Sequence, residues 1–98
     1  MASTPISDYE VMYAANAFPP LIWLVNSEGT FFGQFTFHPN GAALPPDGMN
    51  GAVVSLHYHL DDFENCVGLL RNEKTVYLLY NGPSLQNGLL TAETIPST

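Results

Sequence analysis

Positive charge is the scarcest feature of this chain. Its 98 residues include two basic side chains, Arg71 and Lys74, against nine acidic ones, so the formal net charge is −7 at pH 7. A basic patch cannot be assembled from two cations, and both a nucleic-acid backbone and an anionic membrane surface require one. We therefore expect neither nucleic acid nor membrane among the partners.

Cysteine and long apolar runs are also scarce. Cys66 is the single cysteine, so no internal disulfide can form, and we interpret it as a small buried apolar side chain. No apolar run approaches the roughly 18 residues that a membrane-spanning helix needs. The first ten residues lack both the charged and the apolar region of a secretory signal. These absences predict a cytoplasmic protein.

Charged residues of both signs make up 11% of the chain, against roughly 25% in typical soluble domains. Either part of the surface is covered by another protein, most simply a second copy, or uncharged polar residues replace the charges. The length predicts a single domain over residues 1–98, with loose ends at 1–6 and 96–98.

The segment from Val53 to Asn81 predicts a strand, a helix and a second strand. Residues 53–60 alternate, as in a strand with one buried face. The helix, at about 61–72, begins with Asp61 as N-cap and carries an apolar stripe three to four residues apart. Two sets of side chains follow from the alternation: Val54, Leu56, Tyr58 and Leu60 toward the core, and Val53, Ser55, His57 and His59 on the other face.

The remaining segments suggest a sheet. Residues 21–25 and 30–38 are apolar or alternating and predict a hairpin across the turn at 26–29. Residues 7–18 fit a helix or a strand, with a preference for strand, and 88–91 could form a last strand. The Pro- and Gly-rich stretch 39–51 predicts a long loop. We expect an α+β fold: a mostly antiparallel five- to six-stranded sheet with one helix packed on one face.

Three histidines are the sharpest candidates for chemistry. His57 and His59 lie two residues apart on a strand, so their side chains point the same way, and His38 ends another strand. Imidazole nitrogens suit transition metals, so these three residues are a candidate metal site, with a nearby carboxylate as a further ligand. The alternative is that they are ordinary polar residues on a solvent or partner face.

The spacing of Gly51, His57, His59 and Glu64 resembles part of the first cupin motif. The resemblance covers about fourteen residues, and the second motif of that family, with its later histidine and asparagine, is absent. It implies a small metal-binding protein or metalloenzyme.

No nucleophile, base and orienting acid stand in a recognisable pattern, and no phosphate-binding loop is present. We therefore expect a non-enzymatic protein-interaction module without a cofactor, whose partner is most simply itself in a homodimer. A variant of this hypothesis is an acidic inhibitor or immunity-type protein that binds a basic enzyme. The alternative of a different class is the metal-binding protein.

Overall fold

A computed structural model describes residues 2–13, 19–73, 75–83 and 86–91. Within these ranges the chain forms eight strands and one helix that is preceded by a 3₁₀ turn. The expected α+β class with one helix is confirmed, and the strands divide between two sheets instead of forming one. The strands are β1 Ala2–Ile6, β2 Asp8–Met12, β3 Leu21–Val25, β4 Phe31–His38, β5 Gly48–Asn50, β6 Val53–His59, β7 Val76–Tyr80 and β8 Gly88–Leu90.

The larger sheet has five strands in the order β2-β3-β4-β6-β5. All neighbours are antiparallel except β4 and β6, which run parallel, so the mostly antiparallel arrangement is confirmed. The predicted hairpin of β3 and β4 is present. Asn26 closes its turn, because the side-chain Oδ1 accepts the backbone N–H groups of Glu28 and Thr30 at 3.0 Å each.

The smaller sheet has three antiparallel strands in the order β1-β7-β8. Residues 2–6, which we expected to be part of a loose terminus, form β1 and pair with β7. Only Ser7 separates β1 from β2, and its N–H donates to the Val25 carbonyl at 2.8 Å. The N-terminal segment therefore passes from an edge of one sheet to an edge of the other.

The expected loop at 39–51 needs correction, and the expectations for 7–18 and 96–98 fall partly or wholly outside the described residues. The loop at 39–51 contains the short strand β5, which forms by pairing with β6. Residues 8–12 form a strand, as preferred, whereas 14–18 and 96–98 lie outside the described residues. Strands β6 and β7 belong to different sheets, so the helix between them connects two sheets and is not a crossover within one.

The helix begins with a 3₁₀ turn, Leu60–Asp62, and continues as α1, Phe63–Asn72. The predicted cap is wrong, because Asp61 lies inside the 3₁₀ turn and its Oδ1 accepts a hydrogen bond from Asn40 Nδ2 at 2.9 Å. Leu60 is also not a core residue, since it is 37% exposed. The buried side chains of α1 are Cys66 and Leu70, and Phe63 and Val67 pack against the same core.

The core lies between the inner face of the larger sheet, helix α1 and the smaller sheet. Neighbouring strands contribute Ile22, Phe35 and Leu56 in one register row, and all three are almost fully buried. Phe37 stacks on Tyr58 and meets Phe63 edge to face, which ties α1 to the sheet. Gly33 allows the smaller sheet to approach closely, because a Cβ there would stand 2.9 Å from Leu78 Cδ2.

Candidate functional site

The outer face of the larger sheet, opposite the core, is a surface to which the fold gives no internal role. Helix α1 and the smaller sheet pack against the inner face. Along β3, Ile22 and Leu24 are fully buried while the alternate residues keep part of their surface exposed. The same alternation runs along β4 and β6. The predicted division of β6 into two faces is therefore confirmed over Val53–His57.

The outer face has two chemically different halves. We call the part on β2, β3 and the start of β4 the apolar half. The part on the rest of β4 and on β6 is the polar half. The apolar half carries Met12, Leu21, Trp23, Val25 and Phe31, with the acidic Asp8 and Glu10 also on β2, and the polar half carries Gln34, Thr36, His38, Ser55, His57 and His59, with Val53 at the start of β6.

The apolar half is centred on Trp23. Its indole Nε1–H donates to Gln34 Oε1 at 3.1 Å, and Gln34 Nε2 donates to Thr36 Oγ1 at 3.3 Å, so the boundary between the halves is hydrogen-bonded. Trp23, Val25 and Phe31 line one open depression together with Glu10. Phe31 is 40% exposed. A large aromatic surface is thus presented to solvent in an orientation that a hydrogen bond holds.

Strand β2 extends the apolar half to the sheet edge. Met12 pairs with Leu21 on the outer face and is 46% exposed. Its neighbours lie toward the inner side, because Val11 pairs with the buried Ile22 and Tyr13 contacts Phe63 of α1. Among the described residues, β2 pairs with β3 alone. Such an edge presents backbone donors and acceptors that another strand can pair with.

The polar half brings His38 and His57 into direct contact. The parallel register places Thr36 beside His57 and His38 beside His59. His38 Nε2 and His57 Nδ1 are 2.9 Å apart, a hydrogen bond in which one ring donates and the other accepts. Burial lowers the pKa of His57, and the positive charge that His38 can carry lowers it further, whereas the Asp47 carboxylate acts in the opposite direction.

The third predicted histidine does not join this pair. His59 Nε2 donates to the Ala42 carbonyl at 2.7 Å, so its ring turns toward the loop. Within the described parts of the chain, no group of three or more His, Cys, Asp or Glu side chains lies close enough to hold a metal ion. Glu64, the acidic residue of the cupin-like spacing, lies in the first turn of α1 and lines a different depression with Tyr13 and Leu60.

Asp47 is the residue near the histidines that sequence reasoning missed. Its Oδ1 accepts the backbone N–H of His57 at 3.0 Å, and its Oδ2 accepts Asn87 Nδ2 at 3.0 Å. Asn87 Oδ1 in turn accepts the backbone N–H of Asn81 at 2.7 Å. This network joins the 39–51 segment to the end of β7. An Asp between Pro46 and Gly48 is typical of a turn, so nothing in the local sequence indicates these distant contacts.

Cys66 has the buried position that its sequence context predicts. Burial raises the pKa of its thiol to about 12, and the neighbouring Asp62 carboxylate acts in the same direction. A thiol in this state is almost entirely protonated at neutral pH and is a poor nucleophile. Cys66 therefore contributes to packing.

Comparisons of the chain with protein-family models, with curated protein sequences and with solved structures give no significant match. In the described part of the chain, no helix has both the length and the apolar character needed to cross a membrane. The outer face and its two halves are therefore the features of the molecule that bear on function.

Proposed function

We propose that the protein is a non-enzymatic interaction module that forms a homodimer in the cytoplasm through the apolar half of its outer face. The observation that carries this proposal is the set of partly exposed apolar side chains on the outer face, from Met12 at the β2 edge through Trp23 to Phe31. Aromatic residues and methionine are enriched at protein interfaces, and charged residues are depleted at their centres. The apolar half is rich in aromatic residues and methionine, and its two charged side chains, Asp8 and Glu10, lie on the edge strand β2.

A second copy is the occupant that best fits the charges. In a two-fold dimer the same patch meets itself, so apolar residues can cover apolar residues without any charge complement. The chain has too few cations to complement its own acids. Two copies at net charge −7 repel each other at long range, and salt screens this repulsion. Homodimerisation should therefore strengthen as salt is added.

The salt response separates this proposal from its variant, an acidic inhibitor of a basic enzyme. A complex between a chain of net charge −7 and a basic partner is steered by attraction, so it should weaken as salt is added. The inhibitor reading also predicts that the purified chain stays monomeric. Light scattering after size-exclusion chromatography, at low and at high salt, gives the mass directly.

Trp23 provides a second readout because it is the only tryptophan of the chain and lies at the centre of the apolar half. Association that covers this half should shift the emission of Trp23 to shorter wavelength and reduce its quenching by acrylamide. Dilution should reverse both changes over the concentration range in which the mass falls from dimer to monomer.

The decisive comparison uses two substitutions of matched exposure. Phe31→Glu places a carboxylate in the apolar half, whereas Leu69→Glu places one on helix α1, where the side chain is 37% exposed against 40% for Phe31. We expect Phe31→Glu to weaken the dimer at least about tenfold, or roughly 1.4 kcal/mol. Leu69→Glu should leave it unchanged. A wild-type chain that remains monomeric across the concentration range, or equal weakening by both substitutions, would refute the proposal.

A further inference from the structure

We propose that His38 and His57 form a two-imidazole site for a divalent first-row transition ion such as Zn²⁺. Their facing nitrogens, His38 Nε2 and His57 Nδ1, are 2.9 Å apart. A tetrahedral ion with Zn–N bonds of about 2.0–2.1 Å holds two ligand nitrogens roughly 3.3 Å apart. The two rings must therefore move apart by about 0.4 Å and turn so that both lone pairs point to the ion, which lies off the line between the nitrogens. Side-chain torsions can supply this movement without a change in backbone register.

The backbone already holds the two histidines in place. His38 ends β4 and His57 lies within β6, and the parallel pairing of these strands sets their relative position. The backbone N–H of His57 also donates to Asp47 Oδ1, which anchors the strand next to the ring. Ligands on paired strands are positioned more accurately than ligands on loops. Metal binding therefore requires little ordering of the protein.

The proton balance of binding follows from the hydrogen bond between the rings. When both rings are neutral, one facing nitrogen carries a proton and the other a lone pair. For both nitrogens to bind the ion, the donor ring must move its proton to its other nitrogen. Binding to the neutral pair then releases no proton, whereas each ring that is protonated must lose one proton before it can bind the ion.

The surroundings favour a cation, but the described residues near the pair add no third protein ligand. Both carboxylate oxygens of Asp47 accept hydrogen bonds, so it acts on the pair through its charge. His59 is engaged by the Ala42 carbonyl. The net charge of −7 further raises the local concentration of cations. Two protein ligands would thus leave the other coordination positions to water, and imidazole ligands select zinc, copper or nickel over calcium or magnesium.

The test is calorimetric titration of the metal-free full chain with Zn²⁺ at pH 7.5, with His38→Gln, His57→Gln and His59→Gln as variants. We expect one Zn²⁺ per chain, and His38→Gln and His57→Gln should each weaken binding more than the roughly tenfold that is typical of losing a supporting residue. His59→Gln is the matched control and should bind as the wild type does. Circular dichroism and the melting temperature establish that each variant is folded.

A measurement on the wild-type chain covers the case of a variant that does not fold. In nitrogen-15 NMR spectra, Zn²⁺ should shift the ring signals of His38 and His57 and leave those of His59 in place. Absence of saturable Zn²⁺ binding, binding that survives both His38→Gln and His57→Gln, or equal dependence on His59 would overturn the proposal.

This site is independent of the proposed dimer, because it lies on the polar half. The monomeric Phe31→Glu variant should bind Zn²⁺ with wild-type affinity. Light scattering with and without Zn²⁺ shows whether the ion also bridges two chains. Failure of either proposal therefore leaves the other intact.

Discussion

Gly33 is a position at which the packing between the two sheets can be tested with one methyl group. A Cβ at this residue would lie 2.9 Å from Leu78 Cδ2 and 3.1 Å from Leu24 Cδ1. Both leucines are buried, so neither can turn away into solvent. Overpacking of this kind costs about 1–3 kcal/mol. Replacing glycine by alanine also restricts the unfolded chain, which returns about 0.4–1 kcal/mol.

We therefore expect Gly33→Ala to lower the free energy of unfolding by about 1 kcal/mol, the difference between these effects. For a domain of this size that corresponds to a fall in melting temperature of about 4–8 °C. The assay is urea unfolding followed by the fluorescence of Trp23, with the slope against urea checked for constancy. The variant should show a lower midpoint with an unchanged slope.

Gly48→Ala is the matched control. Gly48 also lies in a strand of the larger sheet, and a Cβ there would have no heavy atom within 4 Å. Its replacement should be neutral or stabilising by up to about 1 kcal/mol. If Gly33→Ala proves as stable as Gly48→Ala, the contact between the two sheets is looser than the structure implies, and the reasoning fails.

Two further predictions concern titration and reactivity. The pKa of His57 in the folded chain lies below its ordinary value of 6.5, so the unfolded chain takes up the proton first, and this contribution to stability is present above pH 6.5 and is lost as the pH falls. In urea unfolding with a chelator present, His57→Asn should lose less stability between pH 7 and pH 5 than the wild type does. Parallel curves of stability against pH for the two proteins would contradict the assignment. Cys66 is buried and its thiol pKa is raised to about 12, so it should resist iodoacetamide at pH 8 in the folded chain and react fully in urea. Mass spectrometry follows the labelling. Rapid labelling of the native protein would show that Cys66 is not packed as described.

The elements that the sequence predicts well are those with local signals. The hairpin of β3 and β4 follows from two apolar segments around a short turn, and α1 follows from its stripe of Phe63, Val67 and Leu70. Each pattern repeats over several neighbouring residues. The alternation of β6 likewise predicts which side chains enter the core, up to the point where Leu60 leaves the strand for the 3₁₀ turn.

The elements that were missed depend on distant partners. The segment of β1 contains Pro5 and has no apolar alternation, and it forms a strand because it lies beside β7 at a sheet edge, where proline is tolerated. Strand β5 is three residues long and exists through its pairing with β6. The division into two sheets follows from these pairings. No local pattern encodes a contact between segments so far apart.

In the histidine cluster, the sequence predicts the candidate residues but does not predict which of them meet. The pattern on β6 and the position of His38 at the end of β4 were sufficient to select the three histidines. Only the parallel register decides that His38 meets His57, and only the path of the loop decides that His59 meets the Ala42 carbonyl. Sequence periodicity gives the direction of a side chain on its own strand, whereas the distance between two strands is a property of the whole sheet.

The arrangement of β1 also constrains how the chain can be made. Ile6 pairs with Val76, so about 70 residues must be synthesised after β1 before its partner exists. At translation rates of about 5–20 residues per second, this delay is roughly 4–14 s. During that time β1 has no strand to pair with, whereas β2 can already pair with β3, which follows it closely in the chain. The last step of folding on the ribosome should therefore be the docking of the N-terminus, which closes the domain after its C-terminal strands have emerged.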